Sequence, residues 1–140
     1  MGKKYRMTRQ RSVILEELKK MSSHPTADEL YKIVRSVLPH ISLGTVYRNL
    51  DILSDMGLIL ILEIEGNQKR FDGNIEKHYH MHCLNCNSIS DINLKTVKIE
   101  YSTDTTEGYK IIDHRLYFIG LCKECSKHNN LLEAENTNFR

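Results

Sequence analysis

The chain has 140 residues and carries 20 lysines and arginines against 18 aspartates and glutamates, so its formal net charge is +2. A hydrophobic fraction of 40% and a charged fraction of 27% are typical of a globular chain with one ordinary domain or two small ones, and they argue against intrinsic disorder. Because it has neither an apolar run that could cross a membrane nor a secretory signal, we expect a cytoplasmic protein without a membrane partner.

The net charge is distributed unevenly along the chain. Residues 1–72 carry 12 basic and 9 acidic side chains, a net +3, whereas residues 73–140 carry 8 and 9, a net −1. Five basic residues precede the first acidic one: Lys3, Lys4, Arg6, Arg9 and Arg11. A basic arm that leads into a helix is typical of phosphate binding, although a solvated terminus has the same composition.

Three amphipathic helices are predicted in the first half of the chain. Each begins at a Ser or Thr whose hydroxyl oxygen can cap free N–H groups, and the second has a full capping box in Thr26-Ala27-Asp28-Glu29. Apolar residues then recur at helical spacing in all three segments. The expected ranges are Thr8 to about Met21, Thr26 to the residue before Pro39, and Ser42 to the stop at Gly57.

A β-hairpin is predicted next, from an apolar run at residues 58–64, a turn at 65–68 and a return strand at 69–72. Three short helices followed by a hairpin form a winged helix-turn-helix, in which the third helix enters the DNA major groove. One polar face of that helix offers side chains that reach phosphates and base edges: Thr45, Tyr47, Arg48 and Asn49. We therefore expect double-stranded DNA as a partner; a helical bundle with a polar surface is the alternative.

The second half of the chain is predicted to be a separate, strand-rich domain. A polar hinge at residues 73–77 divides the winged-helix domain at 1–72 from a dimerisation and metal-binding domain at 78–140. The overall fold class is then α+β. In the second domain we expect strands at 79–83, 88–92 and 109–122, helices at 93–106 and 126–132, and frayed residues from 135 onward.

All four cysteines lie in this second domain, in two CxxC pairs. The pairs are Cys83-Leu84-Asn85-Cys86 and Cys122-Lys123-Glu124-Cys125. In a reducing compartment such pairs are typical of one tetrahedral Zn²⁺ held by four thiolates, a closed structural site that contributes folding energy. A dithiol redox protein is the competing interpretation, but no βαβ pattern surrounds either pair.

A second cluster of ligand types lies in His78-Tyr79-His80-Met81-His82-Cys83. On a strand, residues 78, 80 and 82 share one face, so two imidazoles can bind one ion. Further ligand types are available in Asp72 at the end of the hairpin, Asp91 on the next strand and His24 before the second helix. Imidazole and carboxylate without thiolate suit Fe²⁺, Mn²⁺, Co²⁺ or Zn²⁺, and an ion bound from both halves would favour one orientation of the DNA-binding domain.

These residues together resemble the ferric uptake regulator (Fur) family of bacterial metal-sensing repressors, over nearly the whole chain. The matching segments are Thr8–Arg11, His24–Tyr31, Gly44–Leu50, Arg70–Asp72, His78–His80 and both CxxC pairs. The resemblance implies a homodimer with an N-terminal winged helix and a C-terminal α/β dimerisation domain. It also implies one structural Zn²⁺ per chain on four cysteines, a regulatory Fe²⁺ or Mn²⁺ at the hinge and a near-palindromic operator.

Within the family, the sequence is most similar to the peroxide-sensing (PerR) branch. There the regulatory ligands correspond to His24, Asp72, His78, His80 and Asp91, and the residue matching Asp91 is Asp rather than the Glu of iron-sensing members. This branch implies that bound Fe²⁺ reacts with H₂O₂ and that His24 or His78 is oxidised, which releases metal and DNA. An iron- or manganese-responsive regulator without peroxide chemistry is the alternative within the family. His82 is unusual for the family, and we expect it to be a solvated side chain rather than a spare ligand.

Overall fold

A computed structural model of the chain describes residues 4–64, 66–95, 97–100 and 107–128. Its elements, in chain order, are α1 (Arg9–Lys19), α2 (Ala27–Val34), α3 (Leu43–Asp55), β1 (Leu60–Leu62), β2 (Arg70–Asp72), β3 (Tyr79–Cys83), β4 (Ile89–Ile92), β5 (Tyr117–Gly120) and α4 (Lys123–His128). The chain divides into two compact units, Met1–Lys77 and His78–Arg140. Within the described part of the chain, no helix combines the length and apolarity needed to cross a membrane.

The three helices of the first unit begin at the caps that the sequence predicts. Thr8 and Ser42 each accept a hydrogen bond from a backbone N–H of the following turn. Thr26 and Glu29 form both halves of a capping box at the start of α2. Gly57 follows α3 with a φ of 73°, a left-handed conformation that glycine adopts without steric cost. Local sequence therefore determines where the helices begin.

The core of the first unit lies between the three helices and the β1–β2 hairpin. Phe71 is buried in it, and the strands pair antiparallel with Ile61 opposite Phe71. The side chains of this core are almost all aliphatic: Ile14, Leu18, Ala27, Leu30, Val34, Ile41, Val46, Leu50, Leu53, Ile59 and Phe71. The alternation of β2 directs Phe71 inward, so its neighbours Arg70 and Asp72 project from the opposite face of the strand.

The second unit is built on a three-stranded sheet with the order β4-β3-β5. The central strand β3 pairs antiparallel with β4, which places His80 opposite Asp91, and parallel with β5, which places Cys83 opposite Gly120. The short helix α4 follows β5 directly and contains the second residue of the second CxxC pair, Cys125. The observed architecture confirms the α+β fold class.

Three elements predicted for the second unit differ from the structure. The strand expected at 109–122 covers only Tyr117–Gly120, the four residues that pair with His80–Cys83 of β3. Residues 93–95 and 97–100 are not helical, and Leu94 and Ile99 are exposed there. Helix α4 begins at Lys123, three residues earlier than expected. Residues 96, 101–106 and 129–140, and with them the predicted frayed end, lie outside the described residues.

The second helix is also shorter than predicted. It ends at Val34, and the backbone N–H groups of Val37 and Leu38 both donate to the Val34 carbonyl in a turn that replaces the last helical turn. Leu38 directly precedes Pro39, a position disfavoured in helical backbone, so helical structure does not continue beyond this turn.

Gly73 provides a test of the packing between β2 and α1. A Cβ at Gly73 would lie 3.1 Å from Cα and 3.2 Å from backbone N of Lys19, whereas a Cβ at Gly44 would meet no atom within 4 Å. We expect Gly73→Ala to lower the free energy of unfolding by about 1–3 kcal/mol through overpacking. Gly44→Ala is the matched control and is expected to be neutral or stabilising by up to about 1 kcal/mol, because Ala is the better helix former. Urea unfolding measures both; equal stabilities of the two variants would contradict this packing.

Candidate metal sites and nucleic-acid interface

The four cysteines form one cluster in the second unit. Their sulfur atoms all lie within 4.8 Å of one another, and none is in a disulfide. Cys83 ends β3, Cys86 lies in the turn after it, and Cys122 and Cys125 are brought to the same place by β5 and α4. The Sγ atoms of Cys86 and Cys122 are 3.8 Å apart. A tetrahedral ion with metal–sulfur bonds of about 2.3 Å separates its sulfurs by about 3.8 Å, so the cluster fits Zn²⁺.

Hydrogen bonds around the sulfurs favour thiolates at one side of this cluster. Burial acts to raise the pKa of Cys83, but backbone hydrogen bonds from Cys86, Cys122 and Asn85 outweigh it and lower that pKa to about 6. The hydroxyl of Ser88, 3.0 Å from the Cys86 sulfur, lowers the pKa of Cys86. A lower thiol pKa favours the thiolate form that a tetrathiolate metal site requires of its ligands.

The other side of the cluster behaves differently. Asn85 donates to the Cys125 sulfur at 3.2 Å and lowers the pKa of that thiol, but the neighbouring cysteine sulfurs and burial outweigh this and raise it to about 11. Without a cation, then, the four thiols do not all ionise together. Binding a divalent cation would stabilise the thiolate form of all four, which is why we expect metal binding to release protons.

Two imidazoles and a carboxylate meet on the β3–β4 pair of the same unit. Nε2 of His78 lies 3.3 Å and Nε2 of His80 lies 3.4 Å from Oδ1 of Asp91. The two rings are edge to face, with centroids 4.4 Å apart. His80 is buried, whereas the Asp91 side chain is 49% exposed, so the group opens toward solvent on the carboxylate side. The predicted shared face of residues 78 and 80 is therefore present, with Asp91 opposite it.

His24 and Asp72 form a pair in the first unit. His24 is only 3% exposed, and its Nδ1 lies 3.7 Å from Oδ1 of Asp72, which is also buried. The backbone N–H of Asn74 donates to the same Asp72 oxygen at 2.9 Å and thereby orients the carboxylate. An imidazole beside an oriented carboxylate is a donor pair that a borderline divalent cation accepts.

Arg70 supports this pair, and the sequence analysis did not identify it. Its Nη1 donates to the backbone carbonyl of His24 at 2.8 Å and lies 3.7 Å from the Glu29 carboxylate. The backbone N–H of Phe71 donates to the carbonyl of Pro25. The hairpin strand β2 is therefore tied to the segment that carries His24. Two sequence signals were present: Arg70 belongs to the matching segment Arg70–Asp72, and its position two residues before Asp72 places both on one face of the strand.

His82 differs from its prediction. It was expected to be solvated, but it is 7% exposed and its Nε2 lies 2.6 Å from Oδ1 of Asn87. Asn87 has a φ of 65°, and its backbone N–H donates to the carbonyl of Cys83. His82 thus packs against the turn at residues 83–87, which contains both cysteines of the first pair. The pattern of alternating histidines gave no indication of this contact, because Asn87 lies beyond the strand.

Helix α3 presents part of its predicted polar face to solvent. Tyr47 and Arg48 are exposed, and Thr45 is half-buried with its hydroxyl 2.8 Å from that of Ser42. The Tyr47 hydroxyl donates to Asp28 at 3.2 Å; burial and the Asp28 charge raise the pKa of Tyr47, so it stays protonated at neutral pH. These side chains can donate hydrogen bonds to phosphates and base edges.

The placement of Asn49 on that exposed face is wrong. Asn49 is 5% exposed, and its Oδ1 accepts a hydrogen bond of 3.1 Å from Nε of Arg11. The pattern misassigned it because residue 49 lies one helical turn from the apolar positions 46 and 53, toward α1. Of the other basic residues of the arm, Lys4 and Arg9 are exposed, Arg11 is half-buried, and Lys3 lies outside the described residues.

Comparison with known proteins gives a consistent family. The chain matches the ferric uptake regulator family over residues 2–119. It is 39% identical over 126 residues to the peroxide operon regulator of Bacillus subtilis, with 89% of this chain and 87% of that protein covered. It is 35% identical to the peroxide-responsive repressor PerR of Staphylococcus epidermidis, with 89% and 84% covered.

A solved structure supports the same comparison. The peroxide stress regulator of Campylobacter jejuni is 28% identical, with a TM-score of 0.63 and with 83% of this chain and 88% of that chain covered. Sequence and fold therefore agree on the relatives of this chain.

Proposed function

Because the chain belongs to the ferric uptake regulator family, we propose that it is a metal-dependent, dimeric transcriptional repressor of the peroxide-sensing type. The observation that carries this proposal is the ligand group of His78, His80 and Asp91, which contains no thiolate and stands apart from the four-cysteine cluster. The four-cysteine site would then stabilise the fold, and the site of His78, His80 and Asp91 would respond to a signal.

We propose that the regulatory ion is Fe²⁺ or Mn²⁺ and that its ligands come from both units. The first unit supplies His24 and Asp72; the second supplies His78, His80 and Asp91. Five nitrogen and oxygen donors suit these ions, and availability in the cell decides between them. The hinge has only five residues, 73–77, so Asp72 at the end of β2 and His78 after the hinge can bind the same ion.

Coupling to DNA follows from where the first pair is attached. His24 lies two residues before Thr26, the cap of α2, and α2 packs on α3 in the core of the first unit. An ion that binds the two ligands of the first unit and the three of the second more tightly in one orientation of the two units would stabilise that orientation at the expense of others. Loss of a ligand would shift the equilibrium back toward the other orientations and weaken operator binding.

The four-cysteine cluster would hold one structural Zn²⁺ per chain. Cys83 and Cys86 close the turn after β3, and Cys122 and Cys125 join β5 to α4. A closed tetrathiolate site contributes folding energy and leaves no open position for chemistry. A dithiol redox role is disfavoured because all four sulfurs converge on one point. Free thiols in this number also agree with the proposed location in the reducing cytoplasm.

The DNA surface would consist of the exposed side of α3 together with the basic arm. Arg48, Tyr47 and Thr45 would contact the major groove, while Lys3, Lys4 and Arg9 would contact phosphates. A symmetric dimer presents two such helices, so the operator would be near-palindromic. No reacting group is required for this role, and we propose a regulator rather than an enzyme.

A homodimer would cover the apolar surface of the second unit. In the single chain, Ile112 is 89% and Ile119 57% exposed, and β5 is an edge strand of its sheet. Tyr109, Ile111 and Tyr117 add to the same exposed apolar set. Large exposed apolar surface and an edge strand are features that a second copy of the chain would cover.

Peroxide sensing would use the ligand histidines as targets. Fe²⁺ at this site would supply the redox chemistry through which H₂O₂ oxidises a neighbouring side chain. We propose that one peroxide oxygen is inserted into a ring C–H bond of His24 or His78 while the other leaves as water, and that the oxidised ring would bind the cation less tightly. The alternative within the family is a regulator that responds only to the level of iron or manganese.

The oxidation proposal is tested by mass spectrometry of the zinc-loaded protein. After brief H₂O₂ treatment of the Fe²⁺ form, we expect fragment ions that place the mass of one oxygen atom on the ring of His24 or His78, and not on Met21 or Met81 of the same peptides. The Mn²⁺ form should stay unmodified. Peptides with His40 and His128 are internal controls, since both residues are exposed and belong to neither cluster. Equal modification of the Fe²⁺ and Mn²⁺ forms would favour the alternative.

The dimer proposal is tested by charge insertion on β5. Ile119→Lys should weaken self-association by about 10–100-fold, because burial of an isoleucine side chain stabilises by roughly 1.5–3 kcal/mol. Val37→Lys is the control, since Val37 is 44% exposed and belongs to the first unit. Sedimentation equilibrium measures both variants at equal zinc content. Self-association of Ile119→Lys at the level of the control would remove β5 from the interface.

A further inference from the structure

The proposed DNA role leaves one feature of α3 unexplained, namely the buried amide of Asn49. Its side chain is 5% exposed on a helix whose other buried residues are Val46, Leu50 and Leu53. A buried amide is tolerated in such a position only when its polar atoms are hydrogen-bonded. Its oxygen accepts from Nε of Arg11 at 3.1 Å, so the group that satisfies Asn49 comes from α1.

Arg11 holds a second partner at the same time. Its Nη1 donates to the backbone carbonyl of Arg6, in the segment before α1. The backbone N–H of Arg11 also donates to the side chain of Thr8, the cap of that helix. One guanidinium therefore joins the middle of α3 to residues 4–8, the described part of the basic arm that precedes α1. Only arginine can make both bonds, because its donors are fixed in a planar fork.

Tyr5 provides a second attachment of the arm. Its hydroxyl lies 3.4 Å from a carboxylate oxygen of Asp55, the last residue of α3. Asn49 and Asp55 are about 9 Å apart along the helix axis, at about 1.5 Å per residue. The arm is thus attached at two points, one in the middle and one at the end of α3.

The arm lies beside the surface that is proposed to meet DNA. The exposed positions of α3 recur at helical spacing as a ridge: Gly44, Tyr47, Arg48, Asp51 and Asp55. Tyr5 contacts the end of this ridge. Lys4 and Arg6 of the arm are exposed, as is Arg9 just inside α1, so their charges are available to phosphates. The attachment determines where those charges lie relative to the ridge.

We propose that Arg11 and Asn49 are positioning residues that dock the basic arm on α3, and that Arg11 does not itself contact a phosphate. A docked arm meets the DNA backbone already ordered, whereas a detached arm must lose its conformational freedom on binding. The phosphate-binding part rests on the proposed function; the docking itself rests only on the contacts of the free protein.

The first experiment measures operator binding as a function of salt concentration for variants that keep every basic charge of the chain. Asn49→Leu should weaken binding by about tenfold and flatten the slope of log Kd against log salt by about one unit or more, because arm contacts to phosphates are lost. Arg11→Lys should behave in the same way, since lysine keeps the charge but lacks the fork. Arg35→Lys is the matched control and should keep the wild-type slope, because exposed Arg35 at the end of α2 is not part of the proposed DNA surface.

Two further variants separate positioning from loss of fold. Asn49→Asp should keep wild-type operator binding, because a carboxylate oxygen still accepts the hydrogen bond from Nε of Arg11. The double variant Arg11→Lys/Asn49→Leu should be no weaker than either single variant, because both remove the same contact. Zinc content and thermal unfolding are recorded for every variant. If Asn49→Leu fails to fold, Arg11→Lys decides the question, since it leaves the buried positions of α3 unchanged.

Limited trypsin digestion tests the docking without DNA. In the free wild-type protein, cleavage after Lys4 and Arg6 should be slow, and in Asn49→Leu it should be several-fold faster at unchanged zinc content. Should the wild type bind no operator under any metal condition, the proposed function would fail while the digestion still decided the docking. Wild-type digestion rates in Asn49→Leu, or a wild-type salt slope in both Asn49→Leu and Arg11→Lys, would overturn the proposal.

Discussion

The attachment of strand β2 to the segment that carries His24 is the contact on which the proposed switch depends. Phe71 is buried in the core of the first unit, and its backbone N–H donates to the carbonyl of Pro25. Arg70, the preceding residue, donates to the carbonyl of His24. Since strand alternation places Asp72 on the face opposite Phe71, the same core contact that folds the hairpin sets Asp72 beside His24. A change in this ligand pair acts directly on the start of α2.

Strand β3 has an equivalent role in the second unit. Its register with β4 sets Asp91 opposite His80, and its last residue is Cys83, the most buried of the four cysteines. A closed zinc site at the end of a strand restrains the ladder on which the histidines lie. The four-cysteine cluster therefore helps to position His78, His80 and Asp91. His82 adds to this through its contact with Asn87, just after the first CxxC pair. Ligands for stability and for sensing thus lie within the six residues from His78 to Cys83.

The sequence was sufficient for features that depend on near neighbours. The helix caps at Thr8, Thr26 and Ser42 and the stop at Gly57 were predicted because each acts within one turn of itself. The shared face of His78 and His80 followed from strand alternation. Contacts between distant segments were not predictable in this way. Neither the docking of Arg11 on Asn49 nor the support of His24 by Arg70 has a local pattern, since the partners are 38 and 46 residues apart.

The missed elements have a similar cause. Alternation at 109–122 resembles a long strand, but a strand exists only where a neighbour offers hydrogen bonds, and only four residues of the segment pair with β3. The exposed apolar residues of that segment have their explanation in the proposed second copy of the chain. A single sequence does not specify which apolar residues a partner covers.

The central claim is that ligands of both units bind one regulatory ion, and Mn²⁺ binding at equilibrium tests it most directly. Free Mn²⁺ is measured by electron paramagnetic resonance in zinc-loaded wild-type protein, His24→Ala and His80→Ala, with His114→Ala as the control for an exposed histidine outside both clusters. We predict one Mn²⁺ per chain in wild type and control, and at least tenfold weaker binding in each of the other two variants. A His24→Ala protein that keeps one Mn²⁺ site of wild-type affinity would contradict the account.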